Sequence, residues 1–317
     1  MKTYIIGHLK PDTDSVVSAM ALAELFRQTP CFNRQEAEAV IAGPINNETT
    51  FLLDKFELSA PKIIGAEDIQ NEDQVVLVDH NEANQRLEGI KEEQIVEIVD
   101  HHKVNLSLNQ PIFMTFKTWG ASSTIVYHLM KNNQFEPNTK LAGLMLSAIL
   151  SDTVGFKSST CTEKDIETAK ELAKIAKIED LEALTLEIFK AKSDISQLSC
   201  EDIVKNDYKI FDFAGKKVMI DQLETVEQKQ IISDKKDCLL QAMETVKKEL
   251  DIDLIFVVIS DILEANSKIL LLSDVEQEVA EAAFKTQALD QIIDIGAKLS
   301  RKKEIAPAIE KAIQNNN

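Results

Sequence analysis

Residues 7–15 read Gly7-His8-Leu9-Lys10-Pro11-Asp12-Thr13-Asp14-Ser15. A short apolar run, Tyr4-Ile5-Ile6, precedes them, and a run of amphipathic character from Val16 to Phe26 follows. This pattern predicts a strand, a turn and a helix start. Pro11 fixes its own φ and biases Lys10 away from the helical region, so the turn is expected to be stiff. Asp14 or Ser15 can cap the helix that follows. A cap needs only one such group, so an imidazole and two carboxylates in so short a stretch point to a metal site.

Working outward, Ala39-Val40-Ile41-Ala42 and Lys62-Ile63-Ile64 read as strands, with a helix between them over 48–56. Two continuous apolar runs come next, and each ends in acid and histidine. Val75-Val76-Leu77-Val78 leads into Asp79-His80-Asn81-Glu82, and Ile95-Val96-Glu97-Ile98-Val99 into Asp100-His101-His102. Short Val- and Ile-rich runs separated by polar stretches predict a parallel sheet covered on both faces. In such sheets, ligands bind beyond the carboxyl ends of the strands. His8, Asp79, Asp100, His101 and His102 all fall at such ends.

Further helices are expected over 122–132, 139–151, 159–177 and 181–190, with Thr160 or Thr162 capping the third. The helix over 139–151 is apolar on nearly all sides and should be buried. It delivers Asp152 at its C-terminus, where a carboxylate opposes the helix dipole and calls for a cation. The polar stretch 191–196 is expected to link a first domain, 1–190, to a second, 197–317. The second half changes character. It offers strands near 217–220, 254–259 and 268–272 and a charged helix over 226–250. The expected fold is therefore α/β, a doubly wound and mainly parallel sheet followed by a smaller α+β domain.

The chain has 317 residues, a net charge of −18, 44% hydrophobic and 28% charged residues, an ordinary balance for a globular protein. The negative charge opposes binding of long nucleic acids, which depends on neutralising many phosphates. A small polyanion could bind only where metal ions and a local basic cluster reverse the field. One such cluster is Ser300-Arg301-Lys302-Lys303. No apolar run approaches the ~18 residues that span a membrane, and, with a strand expected at once, no signal peptide is expected. A cytoplasmic location is expected. Cys31, Cys161, Cys200 and Cys238 form no Cys-x-x-Cys pair and are expected to be reduced thiols.

Four of the five histidines lie in the strand-end motifs, the exception being His128. With Asp12, Asp14, Asp79 and Asp152 they supply more ligands than one divalent ion needs. A mixed imidazole and carboxylate set without thiolate suits Mn²⁺, Co²⁺, Fe²⁺ or Zn²⁺ rather than Ca²⁺. Two such ions about 3.5–4 Å apart can clamp the attacking and leaving oxygens of a phosphoryl transfer. Taken singly, each motif has an ordinary explanation. Asp79 could cap a helix, Asp100 could orient His101 from behind, and the Arg301 cluster could be a solvated face. Joint placement is what favours a metal centre.

Gly-His-x-x-Pro-Asp-Thr-Asp-Ser, Val-Asp-His-Asn-Glu, Asp-His-His and Ser-Asp-Thr resemble the four motifs of the DHH phosphoesterases. Within that superfamily, the chain resembles the family II, manganese-dependent inorganic pyrophosphatases over nearly its full length. The likeness includes Phe156-Lys157-Ser158, Thr160-Cys161-Thr162, Asp261-Ile262-Leu263-Glu264 and the terminal basic cluster. It implies that a hydroxide activated by a metal pair hydrolyses pyrophosphate, bound between a DHH domain and a DHHA2-type domain. His8, Asp12 and Asp79 would hold one Mn²⁺, and Asp14, Asp79, His101 and Asp152 the other, with Co²⁺ as the alternative metal. His102 would contact substrate and help protonate the leaving phosphate. Lys209, Arg301 and Lys302 would bind phosphates, with further Mg²⁺ arriving on the substrate. The resemblance also implies a homodimer through the edge of the first sheet, and a hinge at 191–196. Lys10 departs from the Asn that many relatives carry. The Gly-poor second half distinguishes the chain from dinucleotide-cleaving relatives. A short-chain exopolyphosphatase is the nearer alternative.

Overall fold

The computed structural model describes residues 1–315, and the chain divides into two compact units, Met1–Lys192 and a second from Ser193 onward. The first unit runs β1 (Thr3–Ile6), α1 (Thr13–Gln28), β2 (Ala37–Ile41), α2 (Asn47–Lys55), β3 (Lys62–Ile63), β4 (Gln74–Val78), β5 (Ile95–Asp100) and β6 (Phe113–Phe116). Helices α3 (Ser122–Asn132), α4 (Thr139–Asp152), α5 (Glu163–Ala176) and α6 (Leu181–Lys192) complete it. The second unit runs α7 (Cys200–Val204), β7 (Tyr208–Phe213), β8 (Lys216–Thr225), α8 (Gln228–Glu249), β9 (Leu254–Asp261), β10 (Asn266–Leu271), α9 (Asp274–Phe284) and β11 (Ile292–Gly296). A single π-helical turn, Arg301–Ile305, then leads into α10 (Ala306–Asn315).

The first sheet is wholly parallel, in the order β3-β2-β1-β4-β5-β6. The chain winds outward from β1, then returns to place β4 on the other side of it. Connections on the two sides of this boundary diverge, which opens a crevice at the carboxyl ends of β1 and β4. His8 and Asp79 follow those two strands.

Period-two alternation sends Ile5, Val76, Val78 and Val99 to one face, where they join buried residues of α1 to α6. Tyr4, Ile6, Val75, Leu77 and Ile98 face the other way. Both faces are covered, but helices hold only the first. The second is closed by irregular segments carrying Leu87, Ile90, Leu106, Leu108 and Ile112. These side chains are partly buried against that face, so the irregular cover packs on the core rather than hanging as loose loop.

The second sheet is mixed, in the order β11-β10-β9-β8-β7, with β8 and β9 parallel and the other pairs antiparallel. Val218, Ile220 and Phe256 pack towards α9 and α10, and Met219, Leu223 and Val257 towards α7 and α8. No helix among the described residues is long and apolar enough to cross a membrane.

Several local expectations need correction. Helix α1 is not amphipathic. Most of it is buried, Ser15 and Ser18 included, because α2, α3 and α4 pack around it. Its cap is Asp12, whose carboxylate accepts the Ser15 N–H at 2.9 Å, so Asp14 lies inside the first turn and is free for another task. Lys10 is not extended but left-handed, at φ 54°, because the chain must reverse within the turn. Gly7 permits that reversal: a Cβ there would lie 1.8 Å from Ser15 Oγ. Helix α5 starts at Glu163 rather than 159, with Thr162 and Asp165 forming a capping box. Helix α6 continues through Lys192, so the first two residues expected in the linker are helical.

Cys200 and Cys238 are not reduced thiols but a disulfide, with Cα atoms 6.0 Å apart, while Cys31 and Cys161 are free. The pairing arises because α7 packs on α8, a tertiary contact that a separation of 38 residues does not reveal.

Candidate metal centre

Three strand ends and one helix end deliver the side chains. The turn after β1 gives His8 and Asp12, and the first turn of α1 gives Asp14. The residue after β4 is Asp79, held left-handed at φ 62° with its N–H on the Val99 carbonyl at 3.0 Å. Such a backbone is tolerated by Asp better than by most residues, and it is a strain that structure keeps where position matters. β5 leads into His101 and His102, and α4 ends on Asp152.

These residues meet in three overlapping groups, His8–Asp12–Asp79, Asp79–His101–His102 and Asp14–His101–Asp152, with ligand atoms within 4.8 Å of one another in each. His8 Nε2 lies 3.5 Å from Asp12 Oδ1 and 3.6 Å from Asp79 Oδ2. His101 Nε2 lies 3.4 Å from Asp79 Oδ1 and 3.7 Å from Asp152 Oδ2. The two oxygens of Asp79 therefore serve different imidazoles.

The imidazoles are set from behind. His8 Nδ1 is 2.8 Å from the Leu9 carbonyl and His101 Nδ1 is 2.9 Å from the Trp119 carbonyl, which leaves both Nε2 atoms to face the carboxylates. Asp100 stands behind both histidines, its Oδ1 accepting the His101 and His102 main-chain N–H groups at 2.8 and 3.0 Å. Its Oδ1 is 2.9 Å from His102 Nδ1, and its Oδ2 accepts from Asn81 at 2.6 Å. Asp14 accepts the Ser122 and Ser123 N–H groups at 2.6 and 2.9 Å, and Ser122 Oγ donates to Asp79 Oδ1 at 2.9 Å. The N-terminus of α3 thus braces two carboxylates. Sequence reading missed Ser122, Ser123 and Trp119. The one cue was that Ser122 opens a predicted helix, where free N–H groups attract anions.

The electrostatics are those of a cluster short of positive charge. Burial and then the Asp79 charge push the Asp14 carboxyl up to about 7. Burial, Asp14 and Asp79 push Asp152 well above the ordinary carboxylate range. Burial disfavours charge on His8 and His101, but the facing carboxylates outweigh it and hold them at about 11 and about 10. Burial likewise opposes charge on Asp79, yet His101 and His8 keep it well below the usual range. His101 Nε2 is buried without a hydrogen-bond partner. Carboxylates crowded until they attract protons, and an unbonded imidazole nitrogen aimed among them, suit divalent cations of the borderline first-row kind. The residues fit such ions.

The expected phosphate-binding cations lie in the second unit. Lys209 and Lys302 are exposed, while the Arg301 side chain is only 11% exposed and pairs with Asp207, Nη2 to Oδ1 at 2.9 Å. Asp207 in turn donates its N–H to Asp221 Oδ1 at 3.1 Å. Asp221 is fully buried, its Oδ2 unpartnered, and burial pushes its carboxyl up to about 7 against the pull of that N–H, with Asp207 adding to the rise and Arg301 opposing it.

A folded pKa above the unfolded one means that the neutral form is favoured by folding. Stability from Asp221 is full below the unfolded value of about 4 and is lost as pH rises through about 7. Asp221→Asn, which keeps the acceptor, is expected to be more favourable at pH 8 than at pH 5 by roughly 2–3 kcal/mol. Urea unfolding at both pH values checks this, and a pH-independent effect would contradict it.

Comparison with known proteins adds to this geometry. Residues 2–149 match the DHH family, N-terminal domain, and residues 186–312 match the DHHA2 domain. A manganese-dependent inorganic pyrophosphatase of Methanocaldococcus jannaschii is 37% identical over 319 residues, covering 98% of each chain. Another, from Methanothrix thermoacetophila, is 36% identical over 313 residues, again covering 98% of each. The crystal structure of a Methanococcus jannaschii protein assigned to the family II inorganic pyrophosphatases superposes with a TM-score of 0.62 at 36% identity. It covers 98% of this chain and 99% of that one.

Proposed function

The chain belongs to the family of manganese-dependent inorganic pyrophosphatases, and on that premise we propose that it hydrolyses pyrophosphate to two phosphates at the cluster around Asp79. The observation that carries the proposal is the division of Asp79, with Oδ2 towards His8, which also faces Asp12, and Oδ1 towards His101. His8, Asp12 and Asp79 would hold one Mn²⁺, and Asp14, Asp79, His101 and Asp152 a second, with Co²⁺ as a substitute. Bound divalent ions supply Lewis-acid stabilisation of phosphoryl oxygens and acidify water to a nucleophile near neutral pH.

The protein's own groups do the rest. Ser122 and Ser123 fix Asp14 and Asp79 so that their oxygens need no reorganisation when charge develops. His102 has Nδ1 committed to Asp100, which leaves Nε2 to touch a phosphate oxygen and hold or release a proton there. Asp100 holds the His102 pKa up through that hydrogen bond, so the ring can donate near neutral pH. Lys209, Arg301 and Lys302 would neutralise phosphate oxygens, and Mg²⁺ carried by the substrate would neutralise more.

The remaining expectations belong to the same proposal. Residues 193–196 would serve as a hinge. A homodimer would form through β6, an edge strand whose Phe113 and Met114 are 73% and 46% exposed. Phe113→Lys is expected to shift sedimentation towards the monomer, and an unshifted profile would remove this interface. A cytoplasmic location is proposed too, although the Cys200–Cys238 bond sits poorly with a reducing compartment.

Phosphate release tests the activity. The chain is stripped with chelator, reloaded with Mn²⁺ and offered pyrophosphate, tripolyphosphate or a dinucleotide, with Mg²⁺ present. Fast hydrolysis of pyrophosphate is the expected result. Preference for tripolyphosphate would move the function to an exopolyphosphatase, and inertness with metal bound would leave a binding protein.

A further inference from the structure

We propose that Asp207 is a positioning residue that sets the Arg301 guanidinium for phosphate. The assignment rests on Arg301 being a phosphate-binding cation. Asp207 is held on both sides of its own backbone by β8: its N–H donates to Asp221 Oδ1 at 3.1 Å, and its carbonyl accepts the Gln222 N–H at 3.2 Å. From that fixed position it grips Arg301 twice. Nη2 donates to Asp207 Oδ1 at 2.9 Å and Nη1 donates to the Asp207 carbonyl. One N–H on each terminal nitrogen is thereby engaged, and the rest of the fork is left for an anion.

The main chain near Arg301 is fixed by the same strand. The Gln222 side-chain amide donates to the Leu299 carbonyl at 2.9 Å and to Ser260 Oγ at 3.0 Å. Ser260 Oγ is 2.7 Å from Ser267 Oγ, so this anchor is tied to β10 as well. Ser300 then caps the π-helical turn by accepting the Lys303 N–H at 3.2 Å. Two residues beyond Asp207 stands Lys209, on β7. Asp207 therefore also links Arg301 to Lys209 through two residues of strand.

An acid beside a functional arginine can act in two opposed ways. It can hold the guanidinium in register, or it can mask its charge. The anchoring of Asp207 to Asp221 and Gln222 favours the first, because a masking charge needs no fixed backbone. The two roles differ in sign. Loss of the carboxylate weakens phosphate binding if Asp207 positions Arg301 and strengthens it if Asp207 masks Arg301.

The test is steady-state kinetics of the full-length, Mn²⁺-loaded chain with magnesium pyrophosphate, for Asp207→Asn, Asp207→Glu, Arg301→Ala and the Asp207→Asn/Arg301→Ala double variant. Asp207→Asn alters an exposed carboxylate and leaves the backbone bonds, and thermal unfolding checks that it folds. It is expected to raise KM about tenfold, the worth of one charge-assisted hydrogen bond, with kcat little changed. In the Arg301→Ala background the same substitution should change KM by less than about twofold, and Asp207→Glu should recover part of the loss. A lowered or unchanged KM for Asp207→Asn, or an equal factor in both backgrounds, would overturn the proposal. Arg301→Ala without effect on KM would overturn it differently, by removing its premise.

Discussion

Asp79→Asn is expected to lower pyrophosphate turnover by at least about 10²-fold, since even residues standing behind metal ligands cost 10–100-fold when replaced. The substitution preserves shape, so the loss would come from chemistry. One oxygen of a carboxylate that faces His8 and His101 on its two sides becomes an amide N–H₂ group. Whichever side receives it, a donor then points at a place that needs an acceptor. The buried position makes the error expensive, because neither water nor rotation can relieve it. Metal analysis of the purified variant should find less Mn²⁺ than in the parent. Full metal content with full activity would show that Asp79 is dispensable.

Metal removal should have the second largest effect, read in stability rather than rate. Without cations, Asp14 and Asp152 are crowded against Asp79, and folding works against their charge. An ion present at a hundred times its Kd stabilises the folded state by about 2.7 kcal/mol. For a unit the size of the first one, each kcal/mol corresponds to about 2–4 °C. Two ions should therefore raise the Tm of the first unit by roughly 10 °C or more. Calorimetry of chelated and reloaded protein measures it. An unchanged Tm, with Mn²⁺ shown to be bound, would mean that the cluster is not where the metal sits.

What could be seen in advance followed from local rules. His8, Asp79 and His101 were legible because each follows a Val- or Ile-rich run, and parallel sheets gather their ligands beyond strand ends. Asp152 was legible because an apolar helix delivers it where a lone carboxylate is disfavoured. Roles that depend on side-chain direction were not legible. Asp14 and Ser15 each read as the helix cap in sequence terms, whereas the cap is Asp12, whose carboxylate accepts the Ser15 N–H. Asp100 accepts the main-chain N–H of His101, yet the imidazole its carboxylate meets is that of His102.

Tertiary pairings were out of reach for the same reason. The Cys200–Cys238 bond and the Asp207–Arg301 pair join residues 38 and 94 apart, and both depend on how α7, α8, β7 and the π-helical turn pack within the second unit. Strands β6, β7 and β11 were missed as well. They are short or lie at sheet edges, where one side need not be apolar and alternation is weak. The β7 burial pattern, exposed along most of its length, shows why.

The central claim is that Asp79 joins two adjacent cation positions. Titration of the stripped chain with Mn²⁺, followed by low-temperature electron paramagnetic resonance, tests it most directly. The expected result is two ions per chain with the spectrum of a spin-coupled pair, converting to a magnetically isolated ion or to no bound ion in Asp79→Asn. A single ion per chain, or two ions without coupling, would contradict the account.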